Sequence, residues 1–340
     1  MSSTEGDSQL LSTTTTTKAE SNMNMAVIAI RKSEITYPTG DRSFAVKQAF
    51  PAAINETESD PFLMCDYFGP KVSEGRVAHP DHFPVGWHPH RGMDICTYMI
   101  NGGGRHADSL GNREEFESPG IQWCSVGSGI EHAEGGGVPK GESMEGFQLW
   151  VNVPKTHKMK APRYGTVPPT DLPLLNLSSG ITARLIAGAL DGKSGPFATV
   201  QPMLIADVVM PPNSEISLSL ASSFDTTIAY IYKGDGIAND NKAPLQSVAL
   251  FDSKNASKRG LSVSSGPSGA SFMLFSGKKI KEPIAWHGPF VMNTQAEIKS
   301  TINEYQRGVF PPIRTPFDYK TLAEFPIDHP ARNQKKKSTK

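Results

Sequence analysis

Along this chain the apolar residues recur in short blocks with strand periodicity. Residues 93–100 and 147–153 read as strands with one buried face, and residues 121–126 form a short apolar run entered through the turn pair Pro119-Gly120. The later half repeats the pattern at residues 181–187, 203–210, 215–220, 226–232, 247–251 and 270–275. Many short strands at roughly ten-residue spacing predict a sandwich or barrel architecture. Helical spacing stands out at one place, residues 295–307, where Ile298, Ile302 and Tyr305 are expected to share a face. Thr294 is placed as its N-cap, Glu297 completes a capping box, and Gly308 follows as the stop.

Composition supports that picture. Gly (31) and Pro (27) are abundant in the 340 residues, which suits turns between strands better than long helices. The proline-rich sequence VPPTDLP at residues 167–173 divides the chain into two halves, each long enough for its own core. Four segments are therefore expected: a disordered Ser/Thr-rich tail at 1–24, an N-terminal metal-binding barrel at 25–166, a C-terminal barrel without metal at 174–310, and an extension with a basic tail at 311–340. Lys+Arg and Asp+Glu are both 34, and that neutral balance argues against direct nucleic-acid binding. Cys65, Cys96 and Cys124 are too few and odd in number for a disulfide framework, which favours a reducing compartment. No run of about 18 apolar residues is present to span a membrane.

The histidines carry the chemistry. Six of the nine (His79, His82, His88, His90, His106 and His132) fall between residues 79 and 132, where even spreading would put one or two. Residues two apart on an extended chain point to the same face, so His88 and His90 can converge on one ion while Pro89 points away. His132 and Glu134 repeat that spacing beyond a Gly-containing turn. Two such pairs on neighbouring strands make three imidazoles and one carboxylate, a donor set for Fe, Ni, Cu, Mn or Zn. Around them, Asp94 and His106 are candidates for a supporting or entrance role, and Trp87, Met93 and Trp123 for an apolar wall. His79 and His82 are read as loop residues, and Cys96 and Cys124 as small buried side chains.

These motifs carry a resemblance. Pro61-Phe62-Leu63-Met64, Asp66-Tyr67-Phe68-Gly69-Pro70, His88-Pro89-His90-Arg91-Gly92, Asp108-Ser109-Leu110-Gly111-Asn112, Pro119-Gly120-Ile121-Gln122-Trp123, residues 127–134, Gln148-Leu149-Trp150-Val151-Asn152 and residues 286–293 resemble the pirin family, in its order, over roughly residues 45 to 310. The resemblance implies an all-β bicupin, two tandem antiparallel β-barrels of double jelly-roll type with a short C-terminal helix. It implies one Fe(II) per chain held by His88, His90, His132 and Glu134.

Two functions from different classes follow from it. The first is an iron-dependent flavonol dioxygenase of the quercetin 2,3-dioxygenase type, with a flavonol and O₂ as substrates and Glu134 as the catalytic proton acceptor. The second is a nuclear, redox-sensing co-regulator that meets a transcription factor or signalling protein through a surface including Arg91, Arg105 and Arg113. A cytoplasmic or nuclear location suits both, and Lys335, Lys336 and Lys337 are the candidate import signal.

Overall fold

The computed structural model describes residues 23–38, 40, 42, 44–72, 85–136, 143–255, 257–316 and 318–320. The expectations for His79, His82, the N-terminal tail to residue 22 and Lys335–Lys337 fall outside these. The described chain is nearly all-β, with a short C-terminal helix. No helix among the described residues is long and apolar enough to cross a membrane.

Contacts group the chain into two compact units, neither a single stretch of sequence. One comprises Ile35–Lys47, Leu63–Pro169 and Ile280–Lys340. The other comprises Met1–Glu34, Gln48–Phe62 and Thr170–Lys279. The chain passes between them at Pro169 and Thr170, inside the proline-rich sequence. The strand Val27–Lys32, which a contiguous division assigns to the first barrel, pairs antiparallel with Ser247–Phe251 in the second unit.

In the first unit a four-stranded sheet runs in the order Val85–His90, Ile130–Gly136, Gly103–Asp108, Arg113–Glu117. The strands Arg163–Val167, Gly120–Ser125, Met93–Asn101, Ser143–Asn152 and Phe62–Val72 lie side by side in the facing sheet. Period-two burial defines the interior: Met93 and Ile95 join Leu63, Cys124, Val126, Ile130 and Val291 in one apolar cluster. The second unit is built on the order Val27–Lys32, Ser247–Phe251, Thr226–Ala238, Gly260–Gly277, Met203–Met210, Thr182–Ala187, Leu174–Asn176. Leu204, Ala206, Val208 and Met210 supply one alternating face of its apolar interior.

The helix Gln295–Gln306 has the expected capping box, with Thr294 accepting from the Glu297 backbone and the Glu297 carboxylate answering the Thr294 backbone. Its buried positions are Ile298 and Thr301, with Ile302 partly covered, whereas Tyr305 is exposed. Tyr305 still meets the same cluster as Ile298 and Ile302, its ring edge-on to Phe290 and Phe310, and Thr301 joins that face with its hydroxyl accepting from the Arg91 guanidinium.

Candidate metal centre

The strand Ile130–Gly136 lies between two others, and its register assembles the site. His132 faces His88 on one side and Asp108 on the other. Glu134 faces His106 across the second pairing, after a bulge between His132 and Glu134 on the first. Directly opposed residues present their side chains on one face of a sheet, so five chemistry-bearing groups are brought together here.

The chain must turn immediately after His90. Gly92 takes φ +87°, where a Cβ would lie 2.1 Å from the Val291 carbonyl oxygen, so only glycine fits. Arg91 sits beneath the turn at 2% exposure. It donates to the Ser128 carbonyl (2.8 Å), the Thr301 hydroxyl (2.9 Å) and the Glu304 carboxylate (2.7 Å), and its guanidinium lies over the Phe310 ring at 5.0 Å. Arg91 is therefore a buried strut and does not belong to the surface expected for it.

Three imidazoles converge. His88 donates from Nδ1 to the Gly86 carbonyl at 2.7 Å, which leaves its Nε2 lone pair facing the His132 Nε2 3.0 Å away. The separation is within hydrogen-bond distance, and an ion held by both rings would be met by these two nitrogens. The Nδ1 of buried His132 finds no hydrogen-bond partner among the described residues. One donor atom each from His88, His90 and His132 lie within 4.8 Å of one another. Burial, then repulsion from His88, pushes the His90 and His132 imidazoles well below their ordinary pKa and keeps their lone pairs available.

Glu134 is placed beside these, its Oε1 4.0 Å from His132 Nε2. It forms a second triplet with His106 and His132, again with donor atoms within 4.8 Å, so His132 belongs to both groups. Each Glu134 oxygen receives an amide: Gln148 Nε2 donates to Oε1 and Gln122 Nε2 to Oε2, both at 2.8 Å. The Thr97 hydroxyl donates to Gln148 Oε1 at 2.6 Å and fixes that amide's orientation. Neither glutamine was singled out by the sequence reading. The signal available was an uncharged polar residue at an inward-facing position of an otherwise apolar strand.

Other candidates are distributed differently. Asp94 lies on the face of Met93–Asn101 opposite to Met93, Ile95 and Thr97, and its carboxylate accepts from Trp123 Nε1 at 3.1 Å. The Gly92 turn breaks the strand after His90, so the spacing from His90 to Asp94 does not carry a common face across it. Burial pushes the Asp94 carboxyl up to about 6, with the bond from Trp123 opposing. Trp87 alternates with His88 and packs on Tyr319 at 5.3 Å, away from the cluster, and Met93 belongs to the apolar core. The partly buried Leu110, Trp150, Tyr164, Ile284 and Trp286 pack against that core. Trp150 stands edge-on to His90 at 5.1 Å and beside Trp286 at 5.8 Å.

Nearly all-β units with histidines converging inside one of them are the arrangement found in the cupin class of metal-site proteins. Sequence and structure comparisons narrow this. The Pirin family model matches residues 43–151, and the Pirin C-terminal cupin domain matches residues 205–311. Pirin-like protein 2 of Arabidopsis thaliana is 34% identical over 256 residues, covering 73% of this chain and 75% of its own. A crystal structure of quercetin 2,3-dioxygenase from Acinetobacter baumannii superposes with a TM-score of 0.77 at 28% identity, covering 85% of this chain and 99% of that one. Pirin YhhW of Escherichia coli, solved in complex with nickel(II), superposes with a TM-score of 0.55 at 20% identity, covering 74% and 99%. The chain belongs to the pirin family.

Proposed function

We propose that this protein is an iron-dependent oxidoreductase that opens the ring of flavonols with O₂, with His88, His90, His132 and Glu134 as the metal ligands. The observation that carries the reading is the 3.0 Å approach of the His88 and His132 Nε2 atoms beside the buried His90 ring. The donor set suits Fe(II), and Ni, Cu, Mn and Zn are compatible with it. The likeness to a quercetin 2,3-dioxygenase and to a pirin solved with nickel supports the substrate class and the presence of a metal.

The bound ion supplies Lewis acidity that makes a flavonol hydroxyl more acidic and the ring more open to attack by O₂. The protein's residues supply position. Gln122 and Gln148 hold the Glu134 carboxylate in one orientation, and each of its oxygens keeps a second lone pair to ligate or to take the hydroxyl proton. Trp150, Trp286 and Tyr164 offer flat apolar surfaces for a planar aromatic ring and displace water from it.

The test is an iron-reconstituted sample mixed with quercetin, with O₂ uptake, flavonol absorbance and iron content recorded together. The reading expects about one iron per chain, coupled loss of O₂ and flavonol, and loss of iron in His132→Ala. Iron retained in full by His132→Ala and His88→Ala would reject the ligand set. An iron-loaded protein leaving quercetin untouched would reject the substrate.

A further inference from the structure

His106 is fully buried and more tightly oriented than an entrance residue need be. Its Nε2 lies 2.9 Å from Asp108 Oδ2. That carboxylate is itself fixed: Oδ1 accepts from the backbone N–H of Leu110 (2.9 Å) and Asn112 (3.0 Å), and Oδ2 from Asn112 Nδ2 (2.8 Å). A carboxylate that accepts from three donors also accepts from the fourth group facing it, so the His106 ring carries a hydrogen on Nε2. The Tyr164 ring lies on the imidazole at 4.0 Å and 11°, which sets the ring plane.

What remains is Nδ1, a ring nitrogen with no partner among the described residues, on a side chain at 0% exposure. Leaving a buried polar atom unpaired is costly, and such atoms are often completed by a ligand. The ring belongs to the same cluster as His132 and Glu134. Glu134, by contrast, already accepts one amide on each oxygen.

We propose that His106 is a substrate-contacting residue whose Nδ1 accepts a hydrogen bond from a hydroxyl group next to the one that meets the metal, with Asp108 as the residue that positions it. The inference rests on the reading of the preceding section and adds a recognition element to it. Ligands bearing a hydroxyl next to the group that meets the metal are selected over those in which that hydrogen is replaced by a methyl group. The acceptor geometry belongs to the folded barrel and does not depend on turnover.

The test uses the metal-loaded full chain under anaerobic conditions, with quercetin and its 3-O-methyl ether as probes and equilibrium binding followed by flavonol absorbance. His106→Leu removes the acceptor, and His106→Asn returns an amide oxygen near the place of Nδ1. The expected result is roughly ten-fold weaker quercetin binding in His106→Leu, partial recovery in His106→Asn, unchanged affinity for the methyl ether, and unchanged metal content in both. Loss of metal in His106→Leu overturns the proposal by making His106 a ligand. Equal weakening for both probes overturns it by making the effect structural, as does unaltered quercetin binding. A parent protein that holds metal but binds neither probe overturns the flavonol reading, and this inference falls with it. A parent that binds quercetin while His106→Leu matches it overturns this inference alone.

Discussion

The Arg91 guanidinium donates to the Glu304 carboxylate at 2.7 Å across 213 residues of sequence, tying the residue next to a candidate ligand to the C-terminal helix. The bond holds the Glu304 carboxyl below the usual carboxylate range, and the other end of the guanidinium is satisfied by Ser128 and Thr301. Arg91→Ala leaves those acceptors unmet and is expected to cost about 3 kcal/mol in urea denaturation. Arg91→Lys recovers little, because one ammonium cannot reach acceptors arranged for a planar fork. Glu304→Gln should cost under about 1 kcal/mol, since that side chain is 34% exposed. Equal losses from Arg91→Ala and Glu304→Gln would show that the arginine's other bonds contribute nothing.

Gln122→Leu and Gln148→Leu each strip one donor from the Glu134 carboxylate while keeping the interior filled. Supporting residues of this kind typically account for 10–100-fold in metal affinity, and that is the loss expected for each in chelator competition. The melting temperature of the metal-free protein serves as the control. If metal affinity stays at the parent value in both variants, the amides do not orient a ligand.

Stability of the metal-free protein should depend on pH through His90 and His132. Both have folded pKa values depressed below the ordinary imidazole value of 6.5. Below pH 6.5 the unfolded chain therefore binds protons that the folded chain refuses. Stability present above pH 6.5 is then lost as pH falls, by about 1.4 kcal/mol per pH unit for each histidine. His132→Ala removes one of the two contributions. Urea midpoints of chelator-stripped protein between pH 7 and 5 read the slope, and identical slopes for parent and variant would refute the assignment.

Asp94 acts with the opposite sign. Its folded pKa is raised from 3.8 to about 6, so folding favours the neutral carboxyl, and the penalty for the charged form grows as pH rises through that window. Asparagine cannot ionise and keeps an oxygen for Trp123. Relative to the parent, Asp94→Asn should gain on the order of 2–3 kcal/mol between pH 4 and pH 7. A difference that stays constant with pH would place the carboxylate in a better-solvated setting.

The separation between what was legible and what was not follows the range of the interactions. His88 with His90, and His132 with Glu134, are local pairs, and period-two geometry brings each pair to one face. The strands at Met203–Met210 and Ser247–Phe251 and the cap at Thr294 are likewise local. Asp94 broke the pattern because Gly92 turns the chain, so counting residues through the turn does not conserve the face. The partnership of His106 with Glu134 is a matter of register between separate strands, and no spacing along the chain encodes it. Trp87 and Arg91 lie beside the motif in sequence, yet tertiary contacts with Tyr319 and Thr301 decide what they do.

The compact unit that contains the ligands is completed by Ile280–Lys340, more than a hundred residues beyond Pro169. A ribosome delivers the ligand strands early and the residues that brace Arg91 and Gly92 late. While the second cupin domain is being synthesised, the histidines wait in a barrel that lacks the Val291 backbone and the Thr301 and Glu304 contacts. A chain that ends before residue 280 would carry the candidate ligands without the Val291, Thr301 and Glu304 contacts that hold Arg91 and Gly92.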